Sequence, residues 1–388
     1  MSESLPSFTL IHGPTKLFFG LGAVRSVKEY LRGASRVAIV TGRSSAKVSG
    51  ALDDVIDVIK EVSSEYEVFV GATPNPWDYQ ADELARKIWE LGADVVVAIG
   101  GGSVVDTAKF ATVISSCGGR AKDYLYFKRK ACGFVRKLIA INLTHGTGTE
   151  IDRYGVLTIK ETKEKRGIPI LYPTVGIDDP RYTLTLPLNQ TIYTTLDAFY
   201  HAYESATTKS LSLYIQLLSR ESIELISEWL PKVVKDLKDL RGRYYLLYAS
   251  MLAGIAIDSG STHLVHALEH ALSGVEPRLA HGAGLAIIGP KIIELTHKVR
   301  PNESAKLLKP LNPEIKASPT DAVRAREAVE EFQRSVGFKE RLSDYGIGRD
   351  DFKEITELVM KKLRYLWEEV TPFTVSEGLI KEILEYGS

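Results

Sequence analysis

The chain has 388 residues, which predicts two domains at the usual size of about 150 residues each. Hydrophobic residues make up 44% and charged residues 25%, a balance typical of a globular protein, so disordered and fibrous chains are excluded. Lys and Arg together number 49, as do Asp and Glu, and no basic tract stands out. This balance excludes the usual nucleic-acid-binding and anionic-membrane-binding proteins.

The sequence also indicates a compartment. The two cysteines, Cys117 and Cys132, cannot form a disulfide framework, so we interpret both as thiols of a reducing, cytoplasmic compartment. The opening residues MSESLPSFTLIHGP show no signal-peptide pattern, and no apolar run approaches the ~18 residues of a membrane span. Gln, Asn, Met and Cys are scarce beside abundant Lys, Arg and Glu, which favours a thermophilic source.

In chain order, β-branched runs alternate with amphipathic stretches up to residue 187 and then cease. The predicted strands are RVAIVTG (36–42), YEVFVG (66–71), DVVVAIGGG (94–102) and KLIAINL (137–143), with a helix predicted at 78–91. This alternation predicts an α/β fold with a doubly wound, mostly parallel sheet. Runs such as 210–240 and 353–368 keep a helical period, which predicts an all-helical second domain. Since prolines punctuate the transition, we place the domains at 1–187 and 188–388.

A glycine-rich segment follows the third predicted strand and opens a helix: Gly100, Gly101, Gly102 and Ser103, with Asp106 one turn on. Backbone N–H groups at such a helix start suit a phosphate. The segment lacks the third glycine of the Rossmann fingerprint, since Val105 stands there, and it lacks the lysine of a P-loop. A tight turn that needs positive φ is the alternative interpretation. A second turn, from Thr144 through Thr147 to Glu150, interleaves hydroxyls with glycines and suits a sugar, amide or phosphate edge.

A third feature is a group of histidines in the second half. Asp197 and His201 stand four residues apart, which places them on one face of a helix. The segment THLVHALEHALSG carries His263, His266 and His270, and His281 follows in LAHGAGLAI. One carboxylate with several imidazoles is a donor set for a divalent transition metal such as iron or zinc.

These residues resemble the iron-dependent (group III) alcohol dehydrogenases over nearly the whole chain. The resemblance is densest in GGGSVVDTAK, THGTGTEIDRYGVLT, DDPRYTLTLPLNQTIYTTLDAFYHAYES and HALEHALSGVEPRLAHGAGLAI, and the last block is most similar to the NADPH-dependent butanol and aldehyde reductases. The resemblance implies a nicotinamide cofactor, a bound metal, an active site in the cleft between the two domains and a homodimer. The chain departs from the family where Asn142, Leu143, Thr144 and His145 replace the usual Pro-Thr-Thr-Ala.

Carried over by position, the resemblance makes Asp197, His201, His266 and His281 the ligands of Fe2+ or Zn2+. It makes His270 the catalytic histidine, beside the metal without binding it, in a proton-relay role. His263 is additional to the family pattern, so a register in which it is the ligand stays open, as does a supporting or substrate-facing role.

The cofactor preference is predicted from one turn. The family's NAD-preferring members carry Asp after the second strand of the domain, whereas this chain has Gly42 followed by Arg43 and Ser44. A small residue with a guanidinium and a hydroxyl nearby would admit a 2′-phosphate. We therefore expect NADP(H) in preference to NAD(H), bound by these residues together with Gly100, Gly101, Gly102, Ser103, Asp106, Thr144 and Thr147.

The expected activity is hydride transfer between NADP(H) and a primary alcohol or aldehyde, with no nucleic acid or membrane partner. A polyol or polyol-phosphate dehydrogenase of the glycerol dehydrogenase type, or a cyclase of the dehydroquinate synthase type, is the alternative, but HALEHALSG lacks the Lys or Arg that such substrates would need. A non-catalytic nucleotide-binding or metal-binding protein is a third hypothesis. It would require that one of the two sites be idle.

Overall fold

The computed structural model describes residues 13–388, so the segment on which the signal-peptide expectation rests lies largely outside the described residues. The chain forms two compact units: Gly13–Pro187 with Leu237–Leu247, and Leu188–Asp236 with Tyr248–Ser388. The domain boundary that we placed at residue 187 stays a prediction. Among the described residues no helix is both long and apolar enough to cross a membrane.

The first unit is built on a parallel sheet of six strands, and it also carries a separate antiparallel hairpin. The strands are β1 (Lys16–Phe19), β2 (Arg36–Thr41), β3 (Glu65–Val70), β4 (Val95–Gly100), β5 (Lys137–Asn142), β6 (Tyr154–Ile159), β7 (Glu164–Pro169) and β8 (Val175–Asp178). Their order in the sheet is β1-β8-β5-β4-β2-β3, and β6 pairs with β7. The predicted α/β fold with a mostly parallel sheet is confirmed.

Helices cover both faces of this sheet. They are α1 (Val27–Leu31), α2 (Ser45–Val48), α3 (Ala51–Glu61), α4 (Asp78–Leu91), α5 (Gly102–Cys117) and α6 (Ala121–Leu125). Apolar residues of α4, α5 and the β6–β7 hairpin form one core with the sheet, and those of α1 and α3 form the core on the opposite face. The central strands β2, β4 and β5 are buried on both faces, which explains why their sequences are continuous apolar runs.

The strand order places a topological switch point between β2 and β4. The connection from β2 leads outward to β3, whereas the connection from β4 leads the other way to β5. In doubly wound sheets, ligands bind at the carboxyl ends of the strands at such a point. The turn after Thr41 and the glycine segment that begins at Gly100 both start there, since β2 and β4 are parallel neighbours.

The described residues from 188 to 388 contain no strand, so the predicted all-helical second half is confirmed. Its helices are α7 (Leu188–Ala206), α8 (Leu213–Val233), α9 (Leu240–Gly260), α10 (Leu264–Val275), α11 (His281–Val299), α12 (Pro301–Leu308), α13 (Ala322–Ser335), α14 (Phe352–Glu357) and α15 (Glu377–Gly387). The run at 353–368, which keeps a helical period, does not form one continuous helix, because α14 gives way to a π-turn at Leu358–Lys362 and a 3-10 turn at Arg364–Leu366.

The expectation of two free thiols is wrong, because Cys117 and Cys132 form a disulfide. Cys117 ends α5, and the two glycines that follow, Gly118 and Gly119, adopt positive φ and turn the chain away from the helix. The segment then returns, and the two Cα atoms lie 5.5 Å apart, within bridging range. The absence of a multi-disulfide framework therefore did not exclude a single bond.

Candidate metal centre and nucleotide-binding loops

Three helices of the second unit bring the predicted metal-binding side chains together. Helix α7 carries Asp197 and His201 one turn apart, α10 carries His266 in its first turn, and α11 begins at His281. The first three side chains are buried, and that of His281 is 25% exposed. The side chains of Asp197 and His201, which share one face of α7, therefore lie beside those of His266 and His281.

Three imidazole nitrogens converge on one oxygen of Asp197. The Nε2 atoms of His266, His201 and His281 lie 3.4, 3.6 and 3.6 Å from its Oδ1 atom. In a tetrahedral site with bonds of about 2.0–2.2 Å, neighbouring ligand atoms lie about 3.3–3.6 Å apart. The distances to Oδ1 and the chemistry of the donors therefore fit a divalent transition metal, and the donor atoms of Asp197, His201 and His266 all lie within 4.8 Å of one another.

The electrostatics of Asp197, His201 and His266 show a site arranged for positive charge. Burial works to raise the pKa of Asp197, but the charges of His201, His281 and His266 outweigh it and hold that pKa well below its usual range. Burial lowers the pKa of His201 to about 4. Burial also acts to lower the pKa of His266, yet Glu204 and Asp197 raise it to about 9. A buried carboxylate among imidazoles is most stable with a cation bound to them.

His270 lies one turn after His266 on α10 and is buried. Its ring centroid is 5.7 Å from that of His281. One ring nitrogen of His270, one of His281 and a carboxylate oxygen of Glu269 all lie within 4.8 Å of one another. The structure therefore places His270 beside the Asp197 cluster, which consists of Asp197, His201, His266 and His281. The resemblance assigned the catalytic role to this histidine.

Two buried glutamates of this centre, Glu204 and Glu269, were missed in the sequence. Glu204 contacts His263 and His266, and Glu269 contacts His281. Burial works to raise the pKa of Glu204, but the charges of His263 and His266 hold that pKa well below its usual range. A signal was present for Glu204, since it follows Asp197 by seven residues and His201 by three, on the same helical face.

In the first unit, α5 begins within the glycine segment, and the reason for the glycines is steric. None of Gly100, Gly101 and Gly102 has positive φ, so the alternative of a turn that requires positive φ is not supported. A Cβ atom on Gly101 would lie 2.7 Å from Cγ2 of Thr144, and one on Gly102 would lie 2.5 Å from Cγ2 of Thr147. The glycine segment and the Thr144–Thr147 turn, both predicted to bind the cofactor, therefore pack directly against each other.

Asp106 joins the same two segments from the interior. It is 7% exposed, its Oδ1 atom accepts a hydrogen bond from Thr149 Oγ1 at 2.7 Å, and its Oδ2 atom accepts one from the Val156 N–H at 3.1 Å. Burial raises its pKa to about 6. The buried Lys109 donates to Thr149 and to Asp152 from the same helix. Asp106 and Lys109 thus hold the segment that follows the Thr144–Thr147 turn against α5.

The turn after β2 lies beside the start of α5. An added Cβ atom on Gly42 would lie 3.6 Å from Cγ2 of Val104, in ordinary contact. Arg43 and Ser44 are exposed, and Ser44 directly precedes the short helix α2. The predicted cofactor residues of the first unit, Ser103 included, therefore gather at the carboxyl ends of β2, β4 and β5.

Comparison with known proteins agrees with this geometry. The family model described as iron-containing alcohol dehydrogenase matches residues 14–180, and the C-terminal model of the Fe-containing alcohol dehydrogenase family matches residues 191–385. The long-chain primary alcohol dehydrogenase AdhA of Thermoanaerobacter ethanolicus is 40% identical over 348 residues, which are 88% of this chain and 87% of that protein. The NAD-dependent methanol dehydrogenase of Bacillus methanolicus is 30% identical, covering 88% of this chain and 90% of that one.

Solved structures show the same architecture. An archaeal halo-thermophilic alcohol dehydrogenase from a Red Sea brine pool superposes with a TM-score of 0.92 at 27% identity, and the match covers 100% of both chains. The NADH-dependent butanol dehydrogenase A of Thermotoga maritima superposes with a TM-score of 0.90 at 26% identity, and the match covers 98% of each chain.

Proposed function

Because the chain belongs to the iron-containing alcohol dehydrogenase family, we propose that it transfers a hydride between NADP(H) and a primary alcohol or its aldehyde. The observation that carries this proposal is the convergence of three imidazole Nε2 atoms on Oδ1 of Asp197 at ligand spacing. A structural role would leave a buried acid and three buried or half-buried imidazoles as a costly feature of the core.

In this proposal Asp197, His201, His266 and His281 hold Fe2+ or Zn2+. Such a metal supplies Lewis acidity, which polarises a carbonyl oxygen or lowers the pKa of an alcohol. His270 contributes no ligand. Its ring lies beside that of His281, and an imidazole there would carry a proton between the substrate oxygen and water, a task that imidazole suits near neutral pH.

The residues of the first unit bind the cofactor. The backbone N–H groups at the start of α5, from Gly101 to Ser103, face the position of a pyrophosphate at a helix N-terminus. Thr144 and Thr147 support this segment through their packing on its glycines. Arg43, exposed beside Gly42, is available for a 2′-phosphate.

The cofactor preference is tested by kcat/KM for NADPH and NADH with one aldehyde. We expect NADPH to be favoured, and we expect Arg43→Ala to lower kcat/KM for NADPH about tenfold, the loss of one charge-assisted contact, without changing that for NADH. Lys60→Ala, which removes an exposed cation of α3, is the control. A wild-type enzyme that favours NADH tenfold or more would overturn the preference.

The substrate class is tested with a panel of aldehydes. The relatives named above are described as acting on long-chain primary alcohols and methanol, and the butanol dehydrogenase structure belongs to a similar chain. We expect NADPH oxidation with straight-chain aldehydes and weaker activity with glycerol-type polyols. A polyol as the best substrate would favour the glycerol dehydrogenase type.

We further propose a cytoplasmic homodimer from a thermophile. Intracellular proteins of hyperthermophiles retain disulfides, so the Cys117–Cys132 bond and the scarcity of Gln and Asn agree with that source. Among the described residues, strand β1 is the last strand at one side of the sheet, and it offers an edge for a second copy. Light scattering should give twice the chain mass of 42.9 kDa, and a monomeric mass would contradict the dimer.

A further inference from the structure

Glu204 lies on the ligand-bearing face of α7 and reaches the first turn of α10. It is fully buried, and its carboxylate accepts hydrogen bonds from the N–H groups of Val265 at 2.7 Å and His266 at 3.4 Å. These two N–H groups have no carbonyl partner within the helix, because they belong to its first turn. A carboxylate there is also favoured by the helix dipole. Glu204 therefore fixes the start of the helix that carries His266.

The same carboxylate also holds the His266 ring. Oε2 of Glu204 makes a close hydrogen bond with Nδ1 of His266, whose other nitrogen, Nε2, lies 3.4 Å from Oδ1 of Asp197. A carboxylate accepts only, so Nδ1 keeps its proton, and Nε2 is the nitrogen that would give up its proton to bind a metal at the predicted position. Glu204 thus selects the tautomer that can bind a metal.

Glu269 repeats this arrangement for a second ligand. It is fully buried, its Oε2 atom makes a close hydrogen bond with Nδ1 of His281, and its Oε1 atom accepts from the Ser273 hydroxyl. The Nε2 atom of His281 then lies 3.6 Å from Oδ1 of Asp197. The third histidine differs, because Nδ1 of His201 has no hydrogen-bond partner within residues 13–388.

His263 is held by Glu204 and Thr207, away from the predicted metal position. Its Nδ1 atom is 2.9 Å from Oε1 of Glu204, and its Nε2 atom shares a hydrogen bond of 3.2 Å with Oγ1 of Thr207. It is fully buried and occupies the N-cap position of α10. Its Nδ1 atom is at ion-pair distance from Glu204 without hydrogen-bond geometry, and its Nε2 atom is bonded to Thr207, so neither nitrogen contacts Asp197. The register in which His263 replaces His266 as ligand is therefore not supported.

We propose that Glu204 and Glu269 are positioning residues for the metal, each orienting one ligand imidazole through Nδ1, and that His263 is the second partner of Glu204 and not a ligand. The proposal rests on the proposed function in that the four-residue set must bind a metal. Carboxylates behind metal-binding histidines usually set metal affinity, with 10–100-fold effects on removal.

The test measures binding of Co2+ to the metal-free protein by competition with a chromophoric chelator, together with the visible spectrum of the Co2+ form. We expect Glu269→Gln and Glu204→Gln to weaken the Kd about 10–100-fold and to shift the spectrum, because an amide orients the ring but carries no charge. Glu269→Ala should weaken binding further than Glu269→Gln. Glu294→Gln is the matched control, since Glu294 is a buried glutamate of α11 that pairs with Lys298 and Arg326.

His263→Gln tests the remaining part of the proposal. We expect it to bind one Co2+ per chain with a Kd within about fivefold of the wild type, because no ligand is lost. Loss of the metal in this variant would make His263 a ligand and overturn the arrangement.

The outcomes separate this proposal from the proposed function. A folded Glu269→Gln that matches the wild type in Kd and spectrum would overturn the positioning role. If Glu204→Gln does not fold, as judged by circular dichroism, Glu269→Gln and Glu269→Ala decide. If the wild type binds no Co2+, or if His201→Ala and His266→Ala bind it as the wild type does, the metal site and the proposed function fail instead.

Discussion

His145, one of the departures from the family pattern, is a fully buried partner of a buried arginine. Nη1 of Arg243 donates to its Nε2 atom across 2.9 Å, while Nε and Nη2 of the arginine donate to the Leu237 carbonyl. Burial, together with the charge of Arg243, lowers the pKa of His145 to about 3. The imidazole is therefore neutral and acts as an acceptor for a cation that has no surface exposure.

This pairing predicts a pH dependence of stability. In the unfolded chain His145 binds a proton near pH 6.5, whereas in the folded chain it does so only near pH 3. Between these values the unfolded state holds more protons, so the free energy of unfolding falls as the pH falls from 6.5 toward 3. His145→Gln keeps an acceptor for Arg243 but does not titrate, so its denaturation midpoint should fall less steeply over this range. Parallel pH profiles for the two proteins would contradict the assignment.

His270 predicts a separation of metal binding from turnover. It neighbours His281 without belonging to the ligand set, so His270→Ala should keep one metal per chain and lose kcat by about 10²–10⁴-fold, the usual contribution of a general acid or base. Metal content by elemental analysis and steady-state rates check this. His297→Ala, a buried histidine of α11 that pairs with Ser304, is the control for the loss of an imidazole. Loss of the metal from His270→Ala would show that the ligand set is wrong.

At the scale of elements, the start of α5 and the Thr144–Thr147 turn form one interlocked surface. Gly102→Ala would place a methyl group 2.5 Å from Cγ2 of Thr147, so one of the two segments must move. We expect a loss of about 1–3 kcal/mol in the free energy of unfolding and weaker NADPH binding, measured by denaturation and fluorescence titration. Gly133→Ala meets no atom within 4 Å and serves as control. Equal NADPH affinity in both variants would contradict this packing role.

The disulfide predicts a dependence of stability on reduction. It ties the end of α5 to residues 15 positions later and closes a short loop in the unfolded chain. Cys117→Ser with Cys132→Ser should lower the free energy of unfolding by about 2–4 kcal/mol. Dithiothreitol should destabilise the wild type to a similar extent and leave the double variant unchanged. A reductant effect on the double variant would point to another cause.

Elements with a strong local pattern could be predicted from the sequence. Strands β2, β4 and β5 and helix α4 lie where the apolar runs and the helical period placed them, because burial of the strands on both faces enforces their apolar runs. Strand β3 also lies where it was predicted, although most of its side chains are exposed. Strands β1 and β8 are only four residues long, and the β6–β7 hairpin is half-polar, so their sequences carry no comparable signal. The Cys117–Cys132 bond depends on a return of the chain that periodicity does not encode.

Part of the candidate site could also be predicted from the sequence, and part could not. The spacing of Asp197 and His201 predicted a shared helical face, but the roles of His263 and Glu269 depend on how α10, α7 and α11 pack against one another. Packing between helices is tertiary information, and a single sequence does not contain it in readable form. The family resemblance supplied a ligand set, and the structure places those four side chains together.

At the scale of the whole molecule, the two units carry different parts of the chemistry. The sheet unit contains the glycine segment and its hydroxyl turn at the switch point, and the helical unit contains the Asp197 cluster. A chain with no net charge fits such an enzyme, since backbone N–H groups at a helix start and a few local side chains suffice for an anionic cofactor. We therefore expect the activity of the whole molecule to depend on a metal held by Asp197, His201, His266 and His281.

The direct test of this claim is the NADPH-dependent reduction of an aldehyde, followed while metal is removed and restored. Chelation should abolish the rate in proportion to the metal lost, and one equivalent of Fe2+ or Zn2+ per chain should restore it in the wild type but not in His201→Ala. Undiminished aldehyde reduction by protein that elemental analysis shows to be free of metal would contradict the dependence of activity on the metal.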